Sequence, residues 1–374
     1  MKRHFSPRRL LAPLNPLYRL TLGLRDLRLI VGLEPVRRLG FPVVSIGNLS
    51  TGGSGKTPLA IALARALAGR GVHVDVLSRG YGRQSGLAAR VPADGSAADF
   101  GDEPLLITRA AGVPVYVAAQ RYEAGRLAEA DQRKSRLEAA PAPEAQATEA
   151  HPSEASPSFN PFATPENASV QPASPAIHLL DDGFQHRQLA RDVDILLLDR
   201  RDWQGWLLPA GNLREPRRAA NRATVIALPS SDKELERALR RWGWQGPVWK
   251  LRRRMEVPAV NGPVAAFCGI ARPEQFFQGL EAQGLRLAAR LAFPDHFRYT
   301  PVVLENLLAD ARGAGATALV TTEKDLVRMG KLADTFPKSL PLLTARLTVE
   351  IEDVDAAIDW LVDRITPPPA NPPL

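Results

Sequence analysis

Residues 42–57 of the chain read PVVSIGNLSTGGSGKT, and this stretch decides the fold. Pro42 to Ile46 is a short apolar run of the kind found in buried strands, and the alanine- and leucine-rich residues Lys56 to Ala68 predict a helix. A glycine-rich loop joins them and enters the helix at Lys56 and Thr57. A strand, a glycine-rich loop and a helix in this order are the context that a phosphate-binding loop, or P-loop, requires.

The chemistry of this loop suits ATP together with Mg²⁺. Glycines let the backbone wrap around phosphates so that its N–H groups point inward, and the helix start adds the positive end of its dipole. We expect the Lys56 ammonium to reach the β- and γ-phosphates and the Thr57 hydroxyl to ligate Mg²⁺. The usual first glycine of the motif is replaced by Ser50. The predicted nucleotide-binding loop comprises Ser50, Thr51, Gly52, Gly53, Ser54, Gly55, Lys56 and Thr57.

Two adjacent carboxylates are predicted to complete the metal site. Residues 177–182 read IHLLDD, an apolar strand that ends in Asp181 and Asp182. Acids at the carboxyl end of a sheet strand lie in the crevice where ligands bind, and one of them can hold Mg²⁺ directly or through water. The sequence does not separate Asp181 from Asp182 as the metal ligand, and a single aspartate there would also suit a turn cap.

Short apolar runs alternate with helical patterns along most of the chain. This predicts an α/β fold: a P-loop kinase-like parallel sheet with flanking helices over residues 40–230, and a second, smaller α/β domain over residues 231–366. The other predicted strands are Val72–Leu77, 114–118, 193–198, Val264–Phe267, Ala318–Val320 and Leu340–Leu343. In the C-terminal part, helices are predicted at 273–283, 301–312 and 353–365.

Three segments fall outside this pattern. Residues 139–176 are dominated by Ala, Pro, Ser and Glu without Lys or Arg, which predicts a disordered insertion. The proline-rich tail, 367–374, is expected to be loose. Residues 10–39 carry leucines at helical spacing with arginines between them, which predicts a basic amphipathic helix within a membrane-surface segment at 1–39. Such a helix packs on the protein's own core or lies in the headgroup layer of an anionic membrane.

The composition sets wider bounds. The 374 residues favour two domains, and the net charge of +8 attracts phosphates, nucleic acid or an anionic membrane surface. A single cysteine, Cys268, fits a reducing compartment, since one thiol builds neither a disulfide nor a zinc site. No apolar run reaches the ~20 residues of a membrane-spanning helix. No aromatic–basic motif supports nucleic-acid binding, so we expect none.

With these residues in view, the sequence resembles the tetraacyldisaccharide 4′-kinase family of the lipid A pathway. The likeness covers nearly the whole chain except residues 139–176. Blocks in a specific order carry it: SIGNL at 45–49, LSRGYGR at 77–83, GDEP at 101–104, LDDGFQHR at 180–187, PAGNLREP at 209–216, FPDHF at 293–297 and TEKD at 322–325.

The resemblance implies an activity and a location. It implies transfer of the γ-phosphoryl group of ATP to the 4′-hydroxyl of a tetraacylated glucosamine disaccharide 1-phosphate, forming lipid IVA. It further implies a monotopic enzyme on the cytoplasmic face of the inner membrane, with the lipid-linked disaccharide and an anionic membrane surface as partners. We expect the enzyme to be a monomer.

The resemblance also assigns roles to residues outside the P-loop. Asp102 is expected to accept or orient the proton of the sugar hydroxyl, with His296 supporting it as a dyad. Without the resemblance, Asp102 is typical of a helix N-cap and His296 of a structural or solvated histidine. The remaining candidates are Asn48 and Gln185 for the nucleotide, Glu215 for the metal, and Arg79, Arg121, Arg214 and His186 for the substrate. For Arg121, as for Arg83, a surface charge or a loop-holding ion pair stays an open alternative.

A membrane-associated P-loop switch or partitioning ATPase is the alternative function. Proteins of that class share the P-loop core and often a membrane helix, and they release phosphate without a phosphorylated product. The blocks around Asp102 and His296 have no role in such a protein, which counts against this alternative.

Overall fold

A computed structural model describes residues 7–53, 55–139 and 175–366. The predicted insertion, apart from its two ends, and the predicted loose tail therefore lie outside the described residues, as does Ser54 of the P-loop. The strands in chain order are β1 (Val43–Asn48), β2 (His73–Ser78), β3 (Ala89–Arg90), β4 (Val115–Val117), β5 (Ala176–Asp181), β6 (Val193–Leu197), β7 (Val225–Pro229), β8 (Val248–Glu256), β9 (Val264–Cys268), β10 (Leu287–Ala292), β11 (Ala318–Thr322) and β12 (Leu342–Ile351).

Helices connect these strands. They are α1 (Asn15–Ile30), α2 (Lys56–Gly69), α3 (Ala97–Phe100), α4 (Asp102–Ala111), α5 (Arg121–Ala139), α6 (Arg200–Trp203), α7 (Lys233–Arg241), α8 (Pro273–Ala282), α9 (Pro301–Gly313), α10 (Glu323–Met329) and α11 (Val354–Ile365). Short 3₁₀ helices cover Pro7–Leu14, Arg217–Arg222 and Gly330–Thr335.

The described strands form one sheet in the order β10-β9-β11-β12-β8-β7-β6-β1-β5-β2-β4-β3. Neighbouring strands are parallel except at β8–β12 and β3–β4, which are antiparallel. The prediction of an α/β fold with a large, mostly parallel sheet is confirmed. A separate second domain stays a prediction, because backbone hydrogen bonds run without interruption through β8 and β12 into β11, β9 and β10.

The centre of the sheet is buried on both faces. Every residue of β1 and β6 is buried, which explains why neither strand alternates between apolar and polar residues. Helix α2 packs Leu59, Leu63 and Leu67 on one face, together with Val44 and Ile46 of β1. Leucines four residues apart lie on one side of a helix, so the sequence spacing dictates this contact.

The C-terminal helix belongs to the same core as α2. Ile358, Leu361 and Ile365 of α11 share a cluster of buried side chains with Leu63 of α2 and Trp249 of β8. Residues from both sides of the predicted boundary at 231 therefore pack together. The chain returns to the N-terminal part of the sheet after β12, and α11 closes the fold over α2.

Strand β8 was not predicted from the sequence. It reads VWKLRRRME, and its charged residues hide it from a search for apolar runs. The strand is stable because residues Leu251 to Glu256 pair with β12 in an antiparallel register, so its charged side chains can point to solvent. Strands β3, β7 and β10 were also missed.

The N-terminal helix is shorter than predicted: of residues 10–39, α1 covers Asn15–Ile30 and a 3₁₀ helix precedes it. Tyr18 and Leu22 pack against a buried cluster that includes Leu49 and Phe184. The other side of the helix exposes leucines: Leu17, Leu20, Leu24 and Leu27. Within the described residues, no helix is both long enough and apolar enough to cross a membrane.

The contact between β1 and the loop after β5 gives a stability test. A Cβ atom at Gly47 would lie 2.5 Å from the Cβ of Phe184 and 2.8 Å from its backbone nitrogen. We expect Gly47→Ala to lower the free energy of unfolding by about 3 kcal/mol, because the clash involves backbone and a fully buried ring. Denaturant unfolding followed by circular dichroism measures the change.

Gly69→Ala is the matched control. Gly69 ends α2, and nothing lies within 4 Å of the Cβ that the substitution adds. Its stability should stay level or rise by up to ~1 kcal/mol, since alanine favours helix. Equal stability of the two variants would contradict the packing described here.

Candidate active site

The P-loop lies between β1 and α2, as predicted. Gly52 and Gly55 have φ angles of 93° and 92°, which other residue types rarely adopt. Gly55 precedes Lys56, the first residue of α2. The Lys56 ammonium lies 3.0 Å from Asn48 Oδ1 and 3.3 Å from Asp182 Oδ1. The strand end and the carboxylate therefore hold the lysine at the mouth of the loop.

A segment after α6 supports the loop from the side. The amide of Thr51 donates to the carbonyl oxygen of Asn212 at 2.8 Å, and Ser50 forms an antiparallel bridge with Leu213. The next residue, Arg214, donates to Asn48 Oδ1 at 2.7 Å. This segment thus positions Arg214 at the carboxyl end of β1.

Asp182 lies within a cluster of cations. Its carboxylate accepts two hydrogen bonds from Arg214, at 3.0 and 2.8 Å, and contacts Lys56. Burial acts to raise the pKa of Asp182, but the charges of Lys56 and Arg214 outweigh it and hold the pKa well below its usual range. Asp182 also has a φ of 49°, so this carboxylate is held in an unusual backbone conformation.

Asp181 has the opposite environment. Its Oδ1 is buried without a hydrogen-bond partner among the described residues. Burial, and then the neighbouring charge of Asp182, raise the pKa of Asp181 to about 6. Thr57 is buried in the first turn of α2. An unsatisfied carboxylate oxygen beside a second acid fits a hard divalent cation such as Mg²⁺, which would restore its ionised form.

A second cluster forms at the start of α4. Asp102 is the first residue of that helix and is 4% exposed. His296 Nδ1 lies 3.2 Å from Asp102 Oδ2, and Arg328 Nε donates to the same oxygen at 2.7 Å. Burial acts to raise the pKa of Asp102, yet the contacts with His296 and Arg328 hold it well below its usual value. The structure therefore brings the two predicted dyad residues together, 194 positions apart in the chain.

Arg328 is a residue that the sequence reasoning missed. Besides Asp102, its guanidinium donates to the carbonyl oxygen of Gly269 and to Asp325 Oδ1. Asp325 in turn accepts from Tyr299 at 2.9 Å and from Thr322 at 2.6 Å. Asp325 and Arg328 are three residues apart on α10, which is the spacing of an ion pair on a helix and the one signal that the sequence offered.

The two clusters share one electrostatic environment. Lys324 and Glu103 form an ion pair at 2.7 Å beside Asp102. The charge of Glu103 raises the pKa of Asp181, and the charge of Lys324 lowers it. The carboxylates beside the P-loop and the Asp102 cluster are thus close enough to influence each other.

The predicted substrate residues form a positive patch. Arg121 Nη2 lies 3.5 Å from the carbonyl oxygen of Asp182, and burial lowers the pKa of Arg121. Burial, and then the charges of Arg121, Arg191 and Arg79, lower the pKa of His186 to about 4. His186 is therefore neutral at pH 7 and lies among arginines. Gln185 Nε2 donates to the carbonyl oxygen of Asn48 at 2.8 Å.

Glu215 has contacts of a different kind. One of its carboxylate oxygens lies 2.5 Å from Arg25 and the other 2.5 Å from Arg222. Both oxygens are thus engaged by cations, and the side chain is only 2% exposed. These contacts count against Glu215 as a metal ligand and assign it to holding the two arginines.

Comparisons with known proteins agree with one another. The model of the family Tetraacyldisaccharide-1-P 4′-kinase matches residues 7–366. The chain is 37% identical over 361 residues to the Tetraacyldisaccharide 4′-kinase of Koribacter versatilis, covering 94% of this chain and 97% of that protein. It is 40% identical over 339 residues to the Tetraacyldisaccharide 4′-kinase of Anaeromyxobacter sp. (strain K), covering 83% and 79%.

A solved structure also matches. The crystal structure of LpxK from Aquifex aeolicus in complex with ATP superimposes with a TM-score of 0.66 at 28% identity. The match covers 96% of this chain and all of that one.

The two histidines give a test of this electrostatic arrangement. The contact with Asp102 raises the pKa of His296, whereas burial among arginines lowers that of His186 to about 4. In an NMR titration of histidine-labelled protein, His296 should keep its proton above the ordinary value of ~6.5. Asp102→Asn should lower the pKa of His296 by about one unit or more, because the partner charge is lost.

His186 is the internal control in the same spectra, with signals assigned by His186→Gln. Its midpoint should not move in the Asp102→Asn protein. Two histidines that both titrate near the ordinary value would contradict the geometry of both clusters.

Proposed function

The chain belongs to the family of tetraacyldisaccharide-1-P 4′-kinases, and from this premise we propose how its residues transfer the γ-phosphoryl group of ATP to the 4′-hydroxyl of the lipid-linked disaccharide 1-phosphate, forming lipid IVA in lipid A biosynthesis. The observation that carries the proposal is the buried contact between Asp102 and His296, with 3.2 Å between Oδ2 and Nδ1. Phosphoryl transfer depends mostly on positioning and on charge stabilisation, and a carboxylate fixed in this way can align a hydroxyl.

The P-loop binds the triphosphate of ATP in this proposal. Main-chain amides of the glycine-rich loop cradle the phosphates, and Lys56 neutralises the transferred group. Arg214 lies beside Lys56 through their shared partners Asn48 and Asp182, so two cations face the same place. Gln185 supports the end of β1 through its hydrogen bond to the main chain of Asn48.

Thr57 and Asp181 are the proposed holders of Mg²⁺. Held by these residues, Mg²⁺ would supply positive charge to the phosphate groups during transfer. Asp181 suits this role better than Asp182, because its Oδ1 lacks a partner among the described residues while both oxygens of Asp182 contact cations. Asp182 is instead proposed to position Lys56 and Arg214.

Asp102 is proposed to receive or orient the hydroxyl proton of the acceptor. Its depressed pKa means that it is ionised at pH 7 and therefore acts as an acceptor of a hydrogen bond, not as a strong base. His296 and Arg328 hold one oxygen of the carboxylate, which fixes its direction. The positive patch of Arg79, Arg121 and neutral His186 is proposed to receive phosphate groups of the reactants.

We further propose that the enzyme acts at an anionic membrane surface on the cytoplasmic face of the inner membrane. The support is α1, which exposes leucines along one side and carries arginines. In the same proposal the chain is monomeric and does not bind nucleic acid. Residues 231–366 act as a smaller lobe beside the nucleotide-binding core.

Loss of Lys56 or Asp102 tests the transfer itself. The assay contains ATP labelled in its γ-phosphate, Mg²⁺ and tetraacyldisaccharide 1-phosphate. We expect Lys56→Ala to abolish formation of the labelled lipid product. Asp102→Asn should lower kcat by about 10²- to 10⁴-fold, because the hydroxyl loses its positioned proton acceptor. Thin-layer separation of labelled lipid from free phosphate measures both.

Asp363→Asn is the control, since Asp363 is exposed on α11 and has no ion pair among the described residues. It should transfer phosphate at the wild-type rate. Free phosphate as the sole product of the wild-type protein would favour the partitioning ATPase, and full transfer by both active-site variants would end the proposal.

A pH titration tests the role of Arg328. Removal of its charge in Arg328→Met should raise the pKa of Asp102, because a nearby cation lowers the pKa of a carboxylate by about 1–3 units. The midpoint of the Asp102 carboxyl in a carbon-13 NMR titration should then move to higher pH; kcat/KM does not report this shift, because the pKa of Asp181 is about 6. Glu103, Lys324 and His296 remain beside the carboxylate, so a partial shift of about one unit is expected.

Arg346→Met provides the comparison. Arg346 pairs with Glu323 at 2.9 Å on an exposed part of β12 and does not contact Asp102. In this variant the titration of the Asp102 carboxyl should coincide with that of the wild type. A uniform loss of rate in Arg328→Met with no change in the titration would show that Arg328 only supports the fold.

A further inference from the structure

A cavity of about 470 Å³ lies between α1 and the segment that follows Arg214. Its wall on the helix side includes Arg19, Arg25 and Asp26, and its opposite wall includes Glu215, Arg218 and Arg222. Its volume is within the range of ~300–1,000 Å³ that is typical of small-molecule sites.

The charges of the cavity suit an anion. Four arginines face two carboxylates, which leaves a positive excess. Arg19 and Arg218 form no ion pair with any residue that the structure describes. Arg25 and Arg222 bind carboxylates through Nη2, and their Nη1 groups make no hydrogen bond among the same residues. Guanidinium groups with unused donors match the oxygens of a phosphate group.

Glu215 makes this arrangement stable. Its two oxygens bind Arg25 and Arg222, one each, at 2.5 Å. A buried carboxylate between two arginines offsets part of their repulsion and fixes both heads beside the cavity. The cavity is therefore built to hold cations close together while leaving donors free.

The position of the cavity connects it to a lipid surface. The helix that forms its wall exposes leucines on the other side, with Leu17 62% and Leu20 58% exposed. Rows of exposed leucines beside arginines are typical of helices that lie in the headgroup layer. A molecule that reaches the cavity from that layer is amphipathic and carries a phosphate near its apolar part.

The cavity is also joined to the P-loop site. Glu215 directly follows Arg214, whose guanidinium binds Asp182. The hydroxyl of Tyr18 on α1 donates to the carbonyl oxygen of Arg214 at 2.9 Å. The helix wall and the P-loop site are thus connected through one residue, Arg214, which places the cavity next to the nucleotide-binding side of the site.

We propose that this cavity binds the 1-phosphate end of the lipid acceptor, while the opposite sugar presents its hydroxyl at Asp102. The inference rests on the proposed function and specifies which residues recognise the phosphate of the acceptor. Arg19 and Arg218 contact that phosphate, and Arg25 and Arg222 supply further donors. The cavity is larger than a phosphate group, so it also has room for the sugar that carries the phosphate.

A double variant, Arg19→Gln with Arg218→Gln, tests the inference in the full chain. Transfer is measured in neutral detergent micelles with tetraacyldisaccharide 1-phosphate and with the same lipid after removal of its 1-phosphate. We expect the wild type to prefer the phosphate-bearing acceptor. In the double variant the ratio of the two kcat/KM values should fall about 10- to 100-fold, because two charged contacts to the phosphate are lost.

Arg312→Gln with Arg364→Gln is the matched control, since both arginines are exposed and unpaired among the described residues. This control should keep the wild-type ratio. An unchanged ratio in the test variant would overturn the inference. The inference would also be overturned if the test variant lost the same fraction of kcat/KM with both acceptors, and only with vesicles that contain anionic phospholipid. The cavity would then bind bilayer headgroups. Absence of transfer by the wild type to either acceptor would instead refute the proposed function.

Discussion

Two carboxylates stand side by side at the buried end of β5, and the rest of the site is arranged around their mutual repulsion. Like charges at adjacent positions in a poorly polarisable interior are costly unless cations or protons compensate them. Asp182 forms ion pairs with Lys56 and Arg214, whereas Oδ1 of Asp181 has no hydrogen-bond partner among the described residues. One carboxylate is thereby permanently ionised, and the other is left to bind a proton or a metal ion.

The parallel sheet is what brings these groups to one edge. Ile46 of β1 pairs with Asp181 of β5, so the strand that enters the P-loop ends beside the carboxylates. Lys56 then arrives from the first turn of α2, and Arg214 from the segment that pairs with Ser50. Because α10 follows β11 of the same continuous sheet, Arg328 reaches Asp102 across 226 positions of sequence.

The sequence predicted the parts of this arrangement that are local. The P-loop, its two flanking elements and the strand before Asp181 follow from periodicity and from glycine placement, and the structure has them within about two residues. Strand β8 was missed because most of its side chains are exposed, so no apolar run marks it. Its strand conformation depends instead on pairing with β12. Arg328 and the pairing of Glu215 with Arg25 were missed because they depend on contacts between distant segments, which neither spacing nor composition encodes.

Positive and negative side chains lie in different parts of the site, and this separation favours one orientation of the acceptor. Burial, and then the charges of Arg121, Arg191 and Arg79, keep His186 neutral, whereas Asp102, Glu103 and Asp295 favour the proton on His296. An anionic group is attracted to the first region, and the hydroxyl proton of a sugar is attracted to the carboxylate in the second. A molecule with a phosphate at one end and a free hydroxyl at the other is therefore oriented by the field before any specific contact forms. The cavity between α1 and the segment after Arg214 adds four arginines against two carboxylates, so its charge favours a phosphate group over a neutral hydroxyl.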